Sequence, residues 1–281
     1  MSLPDLTPGD VFQPAWRVSP RVRALVSTRN GGVSLPPFGR WHAGVDQPGG
    51  LNLGFLSGDD PHSVAQNRAR LLAFTGVSKA AWLKQVHGAE VVDASHVLGE
   101  ARAGAPIVPA DASVTSEAGT ICVVMIADCM PVLLCDAAGR AVGAAHAGWR
   151  GLAAGVVEKT AQRVAELAAV PTDSLHAYLG PSIGPDAFEV GADVRDAFMN
   201  RASGVDGAQR QATANAFVPR ADAPGKYLAD LPALARLRLQ RLGVTQISGG
   251  DACTVAQRER FYSYRRDRVT GRMAAMIWLA D

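Results

Sequence analysis

The chain has 281 residues, 48% hydrophobic and 19% charged, the balance of a globular protein that can bury a sizeable core. A formal net charge of +2 gives no electrostatic case for nucleic acid or an anionic membrane as partner. No apolar run is long enough to span a bilayer, and four cysteines are too sparse for a disulfide scaffold.

The opening residues, MSLPDLTPGD, carry neither the basic region nor the apolar segment of a secretory signal, so the expectation is a cytoplasmic protein with reduced thiols. Val22, Ala24 and Val26 alternate with Arg21, Arg23 and Leu25 and predict a strand, which runs into Ser27-Thr28-Arg29-Asn30-Gly31-Gly32. Ser63 to Phe74 predicts a helix with Val64, Leu71 and Leu72 on its apolar face. Ala81 to Val86 predicts a strand that stops at His87. Ile121 to Ile126, Val132 to Leu134 and Ala141 to Ala145 are short apolar runs suited to buried strands. Leu152, Val156, Thr160, Val164 and Leu167 mark one helix face. Ala177 to Leu179 predicts another strand before Gly180-Pro181.

The polar, small-residue-rich segment 199–224 reads as a loop insertion. Apolar patterns resume in Leu228 to Leu242 as a helix, and Met273 to Leu279 closes the chain as a strand. Strands predominate without strict strand–helix alternation. The expected class is α/β (α+β), a mixed β-sheet sandwich flanked by helices, with residues 1–281 forming a single domain.

Three residues stand where apolar runs end: His87 in Gln85-Val86-His87-Gly88, Cys129 in Ala127-Asp128-Cys129-Met130-Pro131, and His146 in His146-Ala147-Gly148-Trp149-Arg150-Gly151. One thiol and two imidazoles meeting at a sheet edge make a three-ligand metal site with an open position. The same groups also make a cysteine–histidine nucleophile pair. The structural alternative is that each is packing, as Cys122 and Cys135 are inside their apolar runs. Asp128 or Asp111 could orient a ligating imidazole. Gly148 and Gly151 with Arg150 suggest an anion-binding turn at a helix start, and Arg29 beside Gly31 and Gly32 suggests a second. Glu189 is either a general acid–base or one half of an ion pair, and Arg266 and Tyr262 are candidates for the site wall. Met130 beside Cys129 raises blue copper. Six histidines in all leave too few, after His87 and His146, for a histidine-rich trinuclear copper centre.

The chain resembles the YfiH family, also called the laccase-domain or polyphenol-oxidase-type family. The resemblance rests on STRNGGVS (27–34), NLG (52–54), KQVHG (84–88), ADASVT (110–115), ADCMPVLL (127–134) and HAGWRGLAAGV (146–156). It continues through LGPSIGPDAFEVG (180–191), KYLADL (226–231), Cys253-Thr254, FYSYRRD (261–267) and TGRMAAMIWL (270–279). It implies a CNF1/YfiH-like fold and a zinc ion on the positions of His87, Cys129 and His146, with copper as the other metal the laccase label suggests. It implies a purine nucleoside phosphorylase that uses phosphate to split adenosine, inosine or methylthioadenosine and also deaminates adenosine. The partners would then be a small nucleoside and phosphate. The family is also linked to an amidase activity that edits UDP-muramyl peptidoglycan precursors, which would use Cys129 and His146 as nucleophile and base.

Overall fold

The computed structural model describes residues 6–201 and 206–281. Two mixed sheets stack face to face. The first has five strands in the order Val11–Phe12, Val22–Ser27, Met273–Leu279, Thr120–Ile126 and Lys79–Ala81. The second has six, in the order Gln246–Gly249, Leu175–Leu179, Met130–Asp136, Val142–Ala147, Ala112–Thr115 and Val91–Asp93. Neighbours are antiparallel except at three edges, where Lys79–Ala81, Gln246–Gly249 and Val91–Asp93 each pair in parallel.

The two-residue period of a strand decides which side chains meet. Leu133, Cys135, Val142 and Ala144 point from the second sheet toward Val26, Val124, Ala275 and Ile277 of the first, and all are buried. Val132, Leu134 and Ala145 point the opposite way, onto helices Val156–Ala168 and Leu231–Arg241. The outer face of the first sheet, with Leu25, Val123 and Met276, is covered by Leu51, Leu53 and Leu71 of helix Pro61–Thr75 and the segment before it. The result is a helix–sheet–sheet–helix sandwich, as the patterning predicts. Each fully buried Leu, Val or Ile in these layers contributes about 1.5–3 kcal/mol. No helix among the described residues is long and apolar enough to cross a membrane.

Helix ends follow local chemistry. Asp60 accepts from the backbone N–H groups of His62 and Ser63, Pro61 opens the helix, and Gly76 closes it in a left-handed conformation. The helix expected across Leu152 to Leu167 is two, Trp149–Ala154 and Val156–Ala168, because Gly155 between them has φ +92°. The helix expected from Leu228 starts at Leu231, since Asp230 caps it by accepting from Ala233 N–H, while Lys226–Ala229 pairs as a strand. The strand expected over Ala81 to Val86 stops at Ala81. Beyond it, Lys84 bridges to Pro109 and the Gln85 amide bonds both backbone groups of Met125, so the chain leaves the first sheet for the second.

The segment 199–224, expected as a loop insertion, holds helix Gly207–Asn215 and strand Phe217–Pro219. Buried Phe217 packs on Phe198 at 5.7 Å between ring centroids, which a small-residue-rich sequence does not reveal. Residues 202–205 of that segment lie outside the described residues.

Candidate metal centre

The site sits where the chain crosses between the two sheets. Ala127, Asp128 and Cys129 join Thr120–Ile126 of one sheet to Met130–Asp136 of the other. His146 belongs to Val142–Ala147, with Pro131 opposite it and Ala147 opposite Met130. That register sets Cys129 beside Gly148. A methyl built on Gly148 would come 2.9 Å from Cys129 Sγ and 3.2 Å from His87 Cδ2, so only glycine leaves room for these side chains. His87 arrives on the second crossover, between Lys79–Ala81 and Val91–Asp93.

Two of these turns are strained and are held by hydrogen bonds. Asp128 has φ +101° and His87 φ +59°, both left-handed for residues with a side chain. Asp128 Oδ1 accepts from Thr254 Oγ1 at 2.6 Å and its Oδ2 from Arg265 N–H at 2.6 Å. The His87 turn is held by buried Asp111, whose carboxylate accepts from the N–H groups of Val86, His87 and Gly88 at 3.2, 2.9 and 2.6 Å. The same carboxylate lies 2.9 Å from His146 Nδ1. An ionised Asp111 places the ring proton on Nδ1 and frees Nε2 as a donor to a metal.

The ligand atoms of His87, Cys129 and His146 all lie within 4.8 Å of one another, and the two imidazoles stand edge to face at 4.9 Å. This is the one such group of three found among the described residues. Burial alone pushes the Cys129 thiol up, yet the charge and hydrogen bonds of His146 and His87 bring it down to about 6. Burial alone pushes His146 down, and Cys129 and Asp111 raise it to about 9. Both shifts favour a thiolate beside an Nε2 proton of His146, and a cation bound between the two would take the place of that proton. Cys122, buried with no such neighbour, is pushed up to about 12, and burial raises Cys135 likewise.

The three side chains line a cavity of about 910 Å³. Phe55, Trp82, Ile107 and Phe188 give it apolar walls, and Arg68, Lys84, Arg150, Arg265 and Arg272 line it with positive charge. None of these five forms an ion pair among the described residues. Asp128, the one carboxylate in the lining, already accepts two hydrogen bonds. Arg68 lies 3.8 Å from the Trp82 ring centroid and 4.5 Å from that of Phe55, and its Nε donates to Leu53 O at 2.8 Å. Burial pulls its pKa to about 10, so it remains a cation at neutral pH. Arg272 donates from Nη1 to Thr270 O and Gly271 O; burial lowers its pKa while the charges of Cys129 and Asp128 raise it. Cations without carboxylate partners, in a cavity this apolar, favour an anion.

The model of the multi-copper polyphenol oxidoreductase laccase family matches residues 23–280. The chain belongs to this family. It is 49% identical over 267 residues to the purine nucleoside phosphorylase YfiH of Escherichia coli (strain K12), covering 95% of this chain and 97% of that protein. It is 46% identical over 268 residues to the purine nucleoside phosphorylase PA4543 of Pseudomonas aeruginosa, covering 95% and 98%. The crystal structure of Neisseria meningitidis protein NMB0706 superposes with a TM-score of 0.83 at 45% identity, over 97% of this chain and 100% of that one. YlmD from Geobacillus stearothermophilus does so with 0.79 at 29% identity, over 99% and 100%.

Within this laccase-like YfiH fold, the expected site residues divide. Gly148 and Arg150 line the cavity, the latter stacked on Trp149. Gly151 is buried and does not line the cavity; a methyl there would meet Gly88 O at 2.6 Å, so it lets the His87–Gly88 turn sit against the helix. Arg29 corrects the expectation of a phosphate ligand. It is 1% exposed, and its donors are taken up by Gly39 O, Arg258 O and Asp46. Tyr262 is buried against Phe38 O, and Arg266 is bound to Thr254 O, Val255 O and Asp267, so neither lines the cavity. Glu189 pairs with Arg220 at 2.7 Å, the structural reading of that residue. Arg68, Trp82 and Arg272 escape the sequence reading. Arg68 sits on a helix recognised by its apolar face, and Arg272 inside the quoted TGRMAAMIWL block had no partner to single it out.

Proposed function

We propose that this chain is a zinc-dependent purine nucleoside phosphorylase. It splits adenosine, inosine or methylthioadenosine with inorganic phosphate, and the same site deaminates adenosine. The observation that carries the reading is the cavity itself: cations without carboxylate partners open onto the His87–Cys129–His146 group, in a chain whose full-length relatives carry the phosphorylase name. One soft thiolate and two imidazoles suit zinc, and three protein donors leave a position for substrate. Held by His87, Cys129 and His146, zinc would supply a Lewis acid for a substrate oxygen or for the water that deamination consumes. Among the described residues there is no second cluster of three donors, which a trinuclear copper centre would need.

In phosphorolysis a phosphate oxygen bonds to the anomeric carbon while the bond from that carbon to the purine breaks, its electron pair leaving with the base. Arg68, Arg272 and Arg150 take the phosphate and hold it by charge and directed N–H donors. Phe55, Trp82 and Phe188 offer the base an apolar wall. Asp111 holds the proton on His146 Nδ1 and fixes the His87 turn, so both rings stay aimed at one point. Adenosine with phosphate should give adenine and ribose 1-phosphate, with inosine as side product. If neither forms while UDP-muramyl peptides are cleaved, the phosphorylase reading fails.

The amidase reading is favoured by one observation. Cys129, His146 and Asp111 stand in the order nucleophile, base and orienter, with the thiol brought down to about 6. Metal analysis separates the two readings: near-stoichiometric zinc that disappears in Cys129→Ala excludes a free thiolate nucleophile.

A further inference from the structure

Two of the cavity's half-buried cations, Arg68 and Arg272, come from distant parts of the chain, and both are anchored on residues 52–54. Arg68 donates from Nε to Leu53 O at 2.8 Å. Leu53 N–H donates to Arg272 O at 3.0 Å. The Arg272 stem lies directly over Gly54, where an added methyl would come 2.7 Å from Arg272 Cγ.

Asn52 holds this junction. Its side chain is fully buried and both of its polar atoms are doubly engaged. Oδ1 accepts from Arg272 N–H at 2.8 Å and from Gly54 N–H at 3.1 Å. Nδ2 donates to Ser57 Oγ at 2.7 Å and to Asp59 Oδ2 at 2.9 Å. Its carbonyl accepts from buried Asn67 Nδ2 at 2.9 Å. Asp59 and Ser57 are in turn bonded to Ser34 Oγ and Gly54 O. One amide thus ties the backbone of Arg272 to the segment that carries Phe55 and the carbonyl under Arg68. Asn52 does not line the cavity.

We infer that Asn52 is a positioning residue for anion recognition, setting the separation of Arg68 and Arg272 through the 52–54 segment. The inference rests on the phosphorolysis reading. A fully bonded buried amide is rigid, and guanidinium groups on long stems need such an anchor to present donors at a fixed spacing. Removing it takes away one of the two hydrogen bonds that tie the Arg272 backbone to this segment, without removing any charge from the cavity. The loss should fall on phosphate rather than on the nucleoside.

The test compares wild type, Asn52→Ala, Gly54→Ala, Arg272→Ala and Asn52→Ala/Arg272→Ala. Turnover of adenosine is measured against inorganic phosphate and against nucleoside, phosphate binding by calorimetry, and folding by thermal melting. Gly54→Ala keeps Asn52 but pushes on the Arg272 stem, so it serves where Asn52→Ala fails to fold. Either variant should raise the phosphate KM about tenfold or more, because small misplacements of such donors are costly. The nucleoside KM should stay within about twofold. In the Arg272→Ala background, Asn52→Ala should add much less than it does alone, the mark of a shared path. Folded variants with unchanged phosphate KM and unchanged phosphate binding, or fully additive losses, would overturn the inference. Wild type that binds phosphate but releases no adenine in its presence overturns phosphorolysis instead, and the calorimetry then still judges Asn52.

Discussion

At the scale of single residues, Asp111 does the most with one side chain. Its carboxylate fixes the left-handed His87 turn and orients His146, and it is held below the ordinary carboxylate range despite burial, chiefly by His146 and the Gly88 N–H. Asp111→Asn keeps the shape but loses the charge that holds the Nδ1 proton. It should weaken zinc affinity about 10–100-fold, as loss of such supporting partners does elsewhere; a competition titration with a metallochromic chelator reads this, and unchanged affinity contradicts it. Gly148→Ala should cut turnover about tenfold or more through crowding of Cys129 and His87. Its melting temperature should change little, so a large melting shift with normal specific activity would contradict the steric account. His87, Cys129 and His146 are legible in sequence because few residue types bind metals and these three stand at the ends of apolar runs. Arg29 misleads for the converse reason: its acceptors, Gly39 O, Asp46 and Arg258 O, become neighbours only in the fold.

Among the elements, the hairpin joining Met130–Asp136 to Val142–Ala147 carries His146, begins one residue after Cys129, and sets the two side by side. Its turn is closed by fully buried Asp136, which accepts from the N–H groups of Arg140 and Ala141 and from Arg140 Nε. Burial pushes this carboxyl up, but Arg140 and the backbone donors outweigh it and bring it below its ordinary value. Because the folded-state value is the lower one, Asp136 stabilises the fold above about pH 4, near the unfolded value. That contribution disappears as pH falls through the folded value. Asp136→Asn should therefore melt lower at pH 7 and show a flatter acid limb between pH 5 and pH 2; an unchanged acid limb would refute the assignment. Long strands such as Met273–Leu279 are read from sequence because both faces are buried and the apolar run is unbroken. The Gly155 break, the strand Lys226–Ala229 and the elements inside 206–219 are not, since a left-handed glycine or a three-residue pairing leaves no periodic trace, and helix Gly207–Asn215 buries only Thr213 and so shows no apolar face.

For the whole molecule, the sandwich is held by apolar layers on both sides of each sheet, and the site occupies the crossovers at one end. The proposed zinc would lie outside these layers, so the fold is predicted not to depend on it. Dialysis against a strong chelator should abolish turnover while the melting temperature falls by less than about 5 °C; unfolding on chelation would make the ion structural. Fold class was legible from the balance of strands and helices. The cavity was not, because Arg68, Trp82 and Arg272 converge only when helix Pro61–Thr75 lies on the first sheet. The most direct measurement is anomalous diffraction at the zinc edge from crystals grown with phosphate and adenosine. One peak within bonding distance of Cys129 Sγ and a ring nitrogen from each of His87 and His146, with phosphate density against Arg68 and Arg272, is the predicted result. No peak there, or a substrate fragment covalently bound to Cys129 Sγ, would contradict it.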